Sequence, residues 1–233
     1  MWDFEEGEIL AFDKPLHWTS FDLVAKVRHA LCRKLGKKKL KVGHSGTLDP
    51  LATGVVVVCT GKKTKLIDQL QYDVKEYIAT LQLGATTPSY DLEKAIDATY
   101  PTAHITRELI DRTIPLFLGE QWQVPPMFSA VQINGKRAYE LARKGQEVEL
   151  KPKLLVIDEI EVLNFDDQRM QLTIRVVCSK GTYIRALARD IGEGLHSGAH
   201  LIALRRTRVG EQRVDDCWTI DTFLEKLNDY EYV

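Results

Sequence analysis

Hydrophobic positions recur with two different periods along the chain, which predicts both strands and helices. In QLTIRVVCS, Leu172, Ile174 and Val176 occupy every second position, which is the pattern of a half-buried strand. In TYIRALARDIGEGL, the apolar residues instead repeat at the helical spacing that separates Ile184 from Leu187. The chain therefore combines both kinds of element.

Further elements are predicted in the same way. The strands are ILAFDKP (9–15), GVVVVCT (54–60), KEYIATLQLGATT (75–87) and KLLVIDEIEVLNF (153–165). The helices are a segment from Thr19 to about Leu35, TKLIDQLQ (64–71), ITRELIDRTIPLFLG (105–119) and TIDTFLEKLNDY (219–230). TSFD is predicted to form a capping box at the start of the first helix, with Asp22 in place of the usual glutamate.

Strands and helices alternate irregularly, which favours an α+β fold over a doubly wound sheet. QVPPMFSAVQINGKRAYELARKG (123–145) predicts a hairpin with an Asn-Gly turn, followed by a basic helix. No repeat, low-complexity stretch or linker is present. We therefore expect a single domain over residues 1–233, with residues about 120–150 projecting from it.

Composition narrows the class of protein. The 233 residues are 44% hydrophobic and 28% charged, so the chain can bury a core and disorder is not expected. No apolar run approaches the roughly 20 residues of a membrane span, and the acidic start MWDFEEGE is unlike a signal peptide. The four cysteines lie far apart without a CxxC pair. We expect a reduced, cytoplasmic protein with no membrane partner.

Basic residues are concentrated in one region although the net charge is only -1. The stretch from Lys26 to Lys41 holds eight lysines and arginines and no acid, whereas the chain from Glu211 onward is mostly acidic. Acid at one end can mask a basic surface elsewhere. The run RKLGKKKLK is therefore either a solvated protein surface or a surface that binds the phosphates of a nucleic-acid backbone.

Three short motifs suggest chemistry that their context does not support. GHSGT (43–47) differs from the hydrolase motif G-x-S-x-G at Thr47 and precedes a strand rather than a helix. TGKKT (60–64) has Lys63 where a P-loop has Ser or Thr. His196 and His200 are four residues apart without a third ligand nearby, so metal binding is a minor option and no metal is expected.

Asp49 is the remaining catalytic candidate. An aspartate before proline is usually a turn residue or a helix N-cap. Here the loop is rich in glycine, which lets a bulky ligand approach the main chain, and His44 and Lys41 add charge or hydrogen bonding. A catalytic carboxylate needs such a setting, partly desolvated and paired with a cation that keeps it ionised.

The segment around Asp49, GHSGTLDPLATGVVVVCTGKKTK (43–65), closely resembles the catalytic loop of the tRNA pseudouridine synthase B family. DKPLHWTSFDLVAKVR (13–28) resembles that family's first motif, and VPPMFSAVQINGKRAYELARKG (124–145) its substrate-gripping insertion. CSKGTYIRALARDIG (178–192) resembles a later active-site segment, and AHLIALRRTRVG (199–210) the final catalytic-domain motif. The resemblance implies a mixed, mostly antiparallel sheet flanked by helices, with a projecting hairpin and helix.

The resemblance also implies a reaction: the isomerisation of uridine to pseudouridine at position 55, in the T-loop of tRNA. Asp49 would be the nucleophile and would attack the flipped uridine either at the sugar C1′ or at the base. The released uracil would turn and rejoin the sugar through C5. No redox step or group transfer occurs, so no cofactor is implied.

Six further side chains match positions near the substrate in this family: Tyr77, Tyr183, Arg185, Leu204, His44 and Lys14. Tyr77 would stack on the flipped base, and Tyr183 and Leu204 would lie beside it. Arg185 would pair with Asp49. His44 would wedge into the T-loop or contact its phosphates, and Lys14 would support the active site. Without the resemblance, the pattern favours an ordinary strand tyrosine at Tyr77, whereas Arg185 could equally be a surface arginine and Leu204 a core leucine.

Phosphates would be met by basic residues from three segments: Lys37, Lys38, Lys39, Lys41, Lys136, Arg137, Arg143, Arg205, Arg206 and Arg208. Such contacts provide affinity and position the RNA without reading its sequence.

The chain departs from the family pattern in three places. His17 stands where the first motif usually has glycine, and TTPSYD (86–91) replaces a Thr-Asp-Thr pattern, with Asp91 aligning weakly with an acidic position. About 23 residues follow Gly210, too few for the separate C-terminal RNA-binding domain that many bacterial members carry. No such domain is expected here.

Two alternative functions remain open. A non-catalytic tRNA-binding or chaperone module would tolerate asparagine in place of Asp49, whereas an isomerase would lose turnover. A pseudouridine synthase that depends on a guide RNA would rely on the C-terminal domain that is not expected here. We therefore expect tRNA as the partner, no guide RNA, and a monomer.

Overall fold

A computed structural model describes residues 2–129, 131–133, 135–146 and 149–229. The chain forms two compact units, and each is described by itself. Unit 1 comprises Met1–Tyr77 and Arg205–Val233, and unit 2 comprises Ile78–Leu204. The single domain expected over residues 1–233 stays a prediction.

The described elements alternate as an α+β protein. The strands are β1 Ile9–Lys14, β2 Val42–His44, β3 Ala52–Thr60, β4 Lys75–Leu83, β5 Ala85–Thr86, β6 Ala98–Thr99, β7 Gly119–Gln123, β8 Gln132–Ile133, β9 Lys136–Arg137, β10 Lys153–Asp166, β11 Gln171–Cys178, β12 Ala199–Val209 and β13 Gln212–Arg213. The α-helices are α1 Ser20–Lys34, α2 Ile67–Leu70, α3 Arg107–Thr113, α4 Ala138–Arg143, α5 Ile184–Gly194 and α6 Ile220–Asn228. Short 3-10 helices cover Gly61–Leu66, Ile114–Phe117 and Val214–Asp216.

Unit 1 is built on β3, which is buried along almost its whole length. β1 pairs antiparallel with β3 and places Phe12 opposite Val56, and β2 pairs with the C-terminal end of β3, Val58 to Thr60. Phe12 packs edge-on against Phe223 of α6, with ring centroids 5.1 Å apart. A second apolar cluster forms around the alternate residues: Ala11, Val55, Val57 and Val209, with Leu70, Val214 and Cys217 against them. Apolar residues therefore cover β3 on both faces.

Helix α1 forms as its sequence predicts. Thr19 is the N-cap, its hydroxyl accepts a bond from the backbone N–H of Asp22 (3.0 Å), and the Asp22 carboxylate accepts one from the N–H of Thr19 (2.9 Å). This reciprocal arrangement is the capping box. The buried face of α1 contains Leu23, Val27 and Leu31, so both the cap and the apolar face are confirmed.

Unit 2 contains the strand order β4–β11–β10–β7, of which β4 contributes its residues from Ile78 onward. β10 pairs antiparallel with both neighbours, with Val162 opposite Ile174 of β11 and Leu155 opposite Gln121 of β7. Helix α5 buries its predicted apolar residues, including Leu187. The predicted mixed, mostly antiparallel sheet flanked by helices is confirmed.

The predicted hairpin and basic helix are present as β8, β9 and α4. Gln132 pairs with Arg137 and Ile133 with Lys136, and α4 follows immediately. Gly135 adopts a positive φ of 79° in the turn, as a tight hairpin turn requires. Asn134, the other predicted turn residue, lies outside the described residues.

Candidate active site

Asp49 lies in the loop that joins β2 to β3. Its carbonyl oxygen accepts a bond from the N–H of Ala52 (3.0 Å), with Pro50 at the second position of the resulting turn. Proline fits this position because its φ is already that of the turn. The turn role that Asp-Pro suggests is therefore real, and the carboxylate of Asp49 projects from a fixed piece of backbone.

The residues on either side of Asp49 are bonded to the first motif. The hydroxyl of Ser20, at the start of α1, accepts a bond from the N–H of Leu48 (2.9 Å) and donates to its carbonyl oxygen (3.2 Å). On the other side, the N–H of His17 donates to the carbonyl oxygen of Pro50 (2.7 Å). Asp49 is thus flanked by two residues that the segment 17–20 holds in place.

His17 makes its bond in an unusual backbone conformation. Its φ is 67°, in the left-handed region that residues other than glycine enter at a cost. The glycine usual at this place in the family's first motif fits the same conformation without strain. The departure at His17 therefore keeps the turn and adds an exposed imidazole to it.

Arg206 holds the loop from within unit 1 and requires a correction. We expected it to meet RNA phosphates, but it is 2% exposed, and its guanidinium donates to the carbonyl oxygens of Val55 (2.7 Å), Thr47 (3.3 Å) and Gly46 (3.2 Å). A buried guanidinium with three acceptors has its charge satisfied by the protein. Arg206 is accordingly a scaffold for the Asp49 loop and is withdrawn from the phosphate contacts.

Gly54 is needed where β3 passes Arg206. Its φ is 111°, and a Cβ at this position would lie 2.1 Å from the carbonyl oxygen of Arg206. Such an approach is possible only without a side chain. Gly54 therefore allows the close contact between β3 and β12 within unit 1.

Lys14 provides a buried cation near Asp49. Its side chain is fully buried, and its ammonium donates to the carbonyl oxygens of Pro15 (2.9 Å) and Trp18 (2.7 Å). Burial lowers the pKa of Lys14 to about 8, while the negative charge of Asp49 acts in the opposite direction. The cation is therefore retained at neutral pH but is close to losing its proton.

His44 lies on β2 in the same unit and is half-buried. Burial lowers the pKa of His44 below its ordinary value of 6.5, and the positive charge of Arg206 contributes in the same direction. The imidazole is therefore neutral at neutral pH. A neutral ring favours the predicted wedge into the T-loop over an ionic contact with phosphates.

Arg185 is buried in unit 2 at the start of α5, so the alternative of a surface arginine is wrong. Its guanidinium donates to the carbonyl oxygens of Ser89 (3.2 Å) and Phe128 (2.9 Å), and its Nε lies 3.7 Å from the carboxylate of Asp91. Asp91 is itself buried. The weakly aligned acid of TTPSYD thus pairs with the predicted substrate arginine. The pairing of Arg185 with Asp49 stays a prediction.

The other predicted substrate residues occupy defined places in their own units. Tyr77 is buried in β4, Tyr183 is half-buried at the N-cap of α5, and Leu204 is half-buried in β12. The side chain of Gln123, which the sequence analysis did not single out, bonds the backbone of Tyr183. Its position in the polar strand QWQ gave no signal of burial.

The predicted phosphate contacts differ in exposure. Lys38, Lys39 and Lys41 are exposed, and Lys37, also exposed, forms an ion pair with Glu5. The other assigned residues fall in two groups: Arg205 and Arg208 form ion pairs with Asp13 and Glu76, and the side chains of Lys136, Arg137 and Arg143 lie outside the described part of the structure.

The described residues carry no sign of a resident metal. No group of three or more His, Cys, Asp or Glu side chains among them is arranged to hold an ion. His200 instead contacts the carbonyl oxygen of Ala85 through Nδ1 (2.9 Å). Within the same described ranges, every helix is too short or too polar to cross a bilayer.

Comparison with known proteins gives consistent matches over nearly the whole chain. The family model of the TruB family pseudouridylate synthase N-terminal domain matches residues 33–184, and that of the tRNA pseudouridylate synthase B C-terminal domain matches residues 185–232. The curated tRNA pseudouridine synthase B of Phocaeicola vulgatus is 65% identical over 98% of this chain and 97% of its own length. That of Flavobacterium johnsoniae is 50% identical over 97% of this chain and 98% of its own.

Two solved structures are similar in fold. A Cbf5-Nop10-Gar1 complex contains a chain with a TM-score of 0.71 and 28% identity, and the match covers 98% of this chain and 58% of that one. The archaeal box H/ACA sRNP Nop10-Cbf5 complex gives a TM-score of 0.68 and 26% identity over 97% of this chain and 55% of that one. This chain therefore spans little more than half of either solved chain.

Proposed function

Because this chain belongs to the TruB family of pseudouridylate synthases, we propose that Asp49 is the nucleophile of its reaction and that the target is uridine 55 in the T-loop of tRNA. The chain is an isomerase that converts uridine in tRNA to pseudouridine. In this conversion the bond from C1′ to N1 breaks and a bond from C1′ to C5 forms. The hydrogen of C5 is lost to water and N1 gains one, so no oxidant, reductant or group donor is consumed.

The arrangement of the Asp49 loop carries the proposal. Leu48 and Pro50 are both fixed by hydrogen bonds to the segment 17–20, and Arg206 holds the loop carbonyls of Gly46 and Thr47. A nucleophile must be held close to its attack geometry, because small displacements cost rate steeply. Asp49 combines such a fixed backbone with a buried cation, Lys14. Burial lowers the pKa of this lysine, and the negative charge of Asp49 raises it.

The remaining substrate roles follow the family resemblance. Tyr77 stacks on the flipped base, which replaces stacking lost from the T-loop. Tyr183 and Leu204 contact the same base, Arg185 pairs with Asp49, and His44 inserts into the T-loop as a neutral ring. Either chemical route remains compatible with these roles, with the Asp49 carboxylate attacking C1′ or the base.

The exposed lysines that follow α1 form the phosphate contacts of the proposal. Lys38, Lys39 and Lys41 lie together in the sequence and are exposed. Contacts with phosphates release counterions, so each lysine adds to the salt dependence of tRNA affinity. Replacing one of them should lower affinity for every tRNA sequence and make the salt dependence shallower.

We propose that the chain acts as a monomer on tRNA without a guide RNA. The solved chains of similar fold come from complexes with Nop10 or Gar1, whereas the relatives at 65% identity carry the name tRNA pseudouridine synthase B. A non-catalytic tRNA-binding module would not need the fixed Asp49 loop. Turnover by the purified chain with tRNA alone separates these possibilities.

The test uses tRNA transcript with tritium at C5 of uridine, because pseudouridine formation releases that tritium into water. Wild type, Asp49→Asn and a control, Asp167→Asn, are compared; Asp167 is an exposed carboxylate in the β10–β11 turn. A second transcript carries cytidine at position 55. Binding of each protein to each transcript is measured in parallel by filter retention.

Wild type and Asp167→Asn should release tritium from the first transcript and none from the second, and Asp49→Asn should release none while binding tRNA normally. Release from the cytidine-55 transcript would place the target elsewhere. Release by Asp49→Asn would remove Asp49 as nucleophile. Absence of release by wild type with intact binding would point to a missing guide or a binding module.

A further inference from the structure

The side chain of Gln123, the last residue of β7, bonds both backbone groups of Tyr183. The N–H of Tyr183 donates to Oε1 of Gln123 (2.9 Å), and Nε2 of Gln123 donates to the carbonyl oxygen of Tyr183 (3.2 Å). The orientation of the amide is fixed by its partners, since one is a donor and the other an acceptor. Gln123 is 4% exposed, so its side chain is buried where it makes these two bonds.

These bonds form at the point where α5 begins. Tyr183 is the N-cap of α5, and its side chain makes no capping bond. Its carbonyl oxygen also accepts the first intrahelical bond, from the N–H of Leu187 (3.0 Å). A helix start leaves backbone N–H groups without intrahelical partners. The N–H of Tyr183 is one of these groups, and the side chain of Gln123 accepts its hydrogen bond. Gln123 therefore holds the backbone in place where α5 begins.

Two arginines of α5 also bond the backbone of the segment that follows Gln123. Arg189 donates to the carbonyl oxygen of Val124 (3.2 Å), and Arg185 donates to that of Phe128 (2.9 Å). The first turns of α5 therefore bind residues 123, 124 and 128, and this segment leads directly to the β8–β9 hairpin. Within unit 2, hydrogen bonds therefore join Tyr183 and Arg185, two of the residues that resemble substrate contacts, to residues 123–128 at the start of the insertion.

We propose that Gln123 is a positioning residue for the isomerisation, which sets the place of Tyr183 and, through the start of α5, that of Arg185. The inference rests on the proposed role of these two residues at the flipped uridine. Gln123 has no contact with substrate in this scheme. Its loss lets the backbone of Tyr183 shift, and a displacement of about 1 Å at a reacting centre can cost roughly 100-fold in rate.

Replacing Gln123 by Met tests the proposal, because methionine has a similar length and fills the space without forming either bond. Gln123→Glu is a second variant: it keeps the acceptor for the N–H of Tyr183 but places an ionised oxygen beside its carbonyl oxygen. The matched control is Gln121→Met on the same strand. Gln121 also makes two bonds to backbone, but to the carbonyl oxygens of Leu116 and Leu118.

Tritium release is measured under single-turnover conditions with saturating protein, and tRNA affinity is measured separately. For Gln123→Met we expect turnover to fall by roughly 10- to 100-fold while the dissociation constant for tRNA stays within about threefold. Gln123→Glu should fall in the same way, and Gln121→Met should match wild type. A merely structural role would lower the active fraction, which tRNA titration reports, and leave the rate of the bound complex unchanged.

A double-mutant cycle with Tyr183→Ala completes the test. If Gln123 acts through Tyr183, then Gln123→Met should cost much less in the Tyr183→Ala background than in wild type. Fully additive losses, or an unchanged bound-complex rate in Gln123→Met, would overturn the proposal. If wild type itself released no tritium, the proposed function would fail first, and that outcome is distinct from a wild-type rate in Gln123→Met.

Discussion

Replacing Lys14 by Met tests whether a desolvated cation accompanies Asp49. In the folded protein burial lowers the pKa of Lys14 to about 8 from 10.5, against the opposing charge of Asp49. In the unfolded chain the pKa returns to 10.5, so between these two values the unfolded state binds more protons than the folded state. The unfolding free energy of wild type therefore contains a contribution from Lys14 that increases with pH across this window.

The size of the effect follows from the difference between the two pKa values. A pKa difference of about 2.5 corresponds to roughly 3 kcal/mol, and this cost is fully present below pH 8, where both states carry the proton. As the pH rises from 7 to 9, Lys14 loses its proton in the folded protein and about 1 kcal/mol of this cost disappears. The unfolding free energy of wild type should therefore rise by that amount relative to Lys14→Met.

Urea unfolding, followed by tryptophan fluorescence at pH 7, 8 and 9, measures this difference. The exposed lysine variant Lys38→Met controls for the loss of one positive charge. Turnover of wild type should also fall above pH 8, because the cation near Asp49 is then lost. If the unfolding free energies of wild type and Lys14→Met stay parallel over pH 7–9, the argument for a desolvated cation is refuted.

Substitutions at three other positions test the surroundings of Asp49 and Arg185, and each is measured by urea unfolding. His17→Gly should be more stable than His17→Ala by about 1 kcal/mol, because only glycine relieves the positive φ; equal stabilities would contradict the strain. Arg206→Met should lose about 3–5 kcal/mol, since three loop carbonyls lose a charged donor, and a loss below about 1 kcal/mol would remove its scaffold role. Asp91→Asn should cost about 2–3 kcal/mol and reduce turnover by disturbing Arg185, whereas Asp111→Asn, at an exposed ion pair, should cost less than about 0.5 kcal/mol.

Local patterns were enough to predict most helices and strands. The apolar spacing in 184–191 predicted the buried face of α5, and TSFD predicted the cap of α1, because these features depend on residues within one turn of each other. Several strands were not predicted, among them β7 and β12. β7 is short and polar, and β12 places Arg205 and Arg206 in mid-strand, so neither shows the alternation of a half-buried strand.

Motifs in the sequence identified the candidate site residues. They did not identify the buried side chains that hold those residues in place. Arg206 looked like a phosphate contact because burial of an arginine depends on acceptors that lie far away in sequence. Gln123 gave no signal for the same reason, since its partner is 60 residues distant. Only His17 carried a usable clue: glycine at the matching place in the family indicates a positive φ.

The bonds from Arg206 to the Asp49 loop also order events during synthesis. They join residues 159 and 160 positions apart, so a ribosome that has just made Asp49 must add the greater part of the chain before the loop can acquire its scaffold. At about 5–20 residues per second this interval lasts on the order of ten seconds or more. The Asp49 loop of the nascent chain therefore lacks its Arg206 scaffold throughout this interval, and it acquires that scaffold only when β12 has been made.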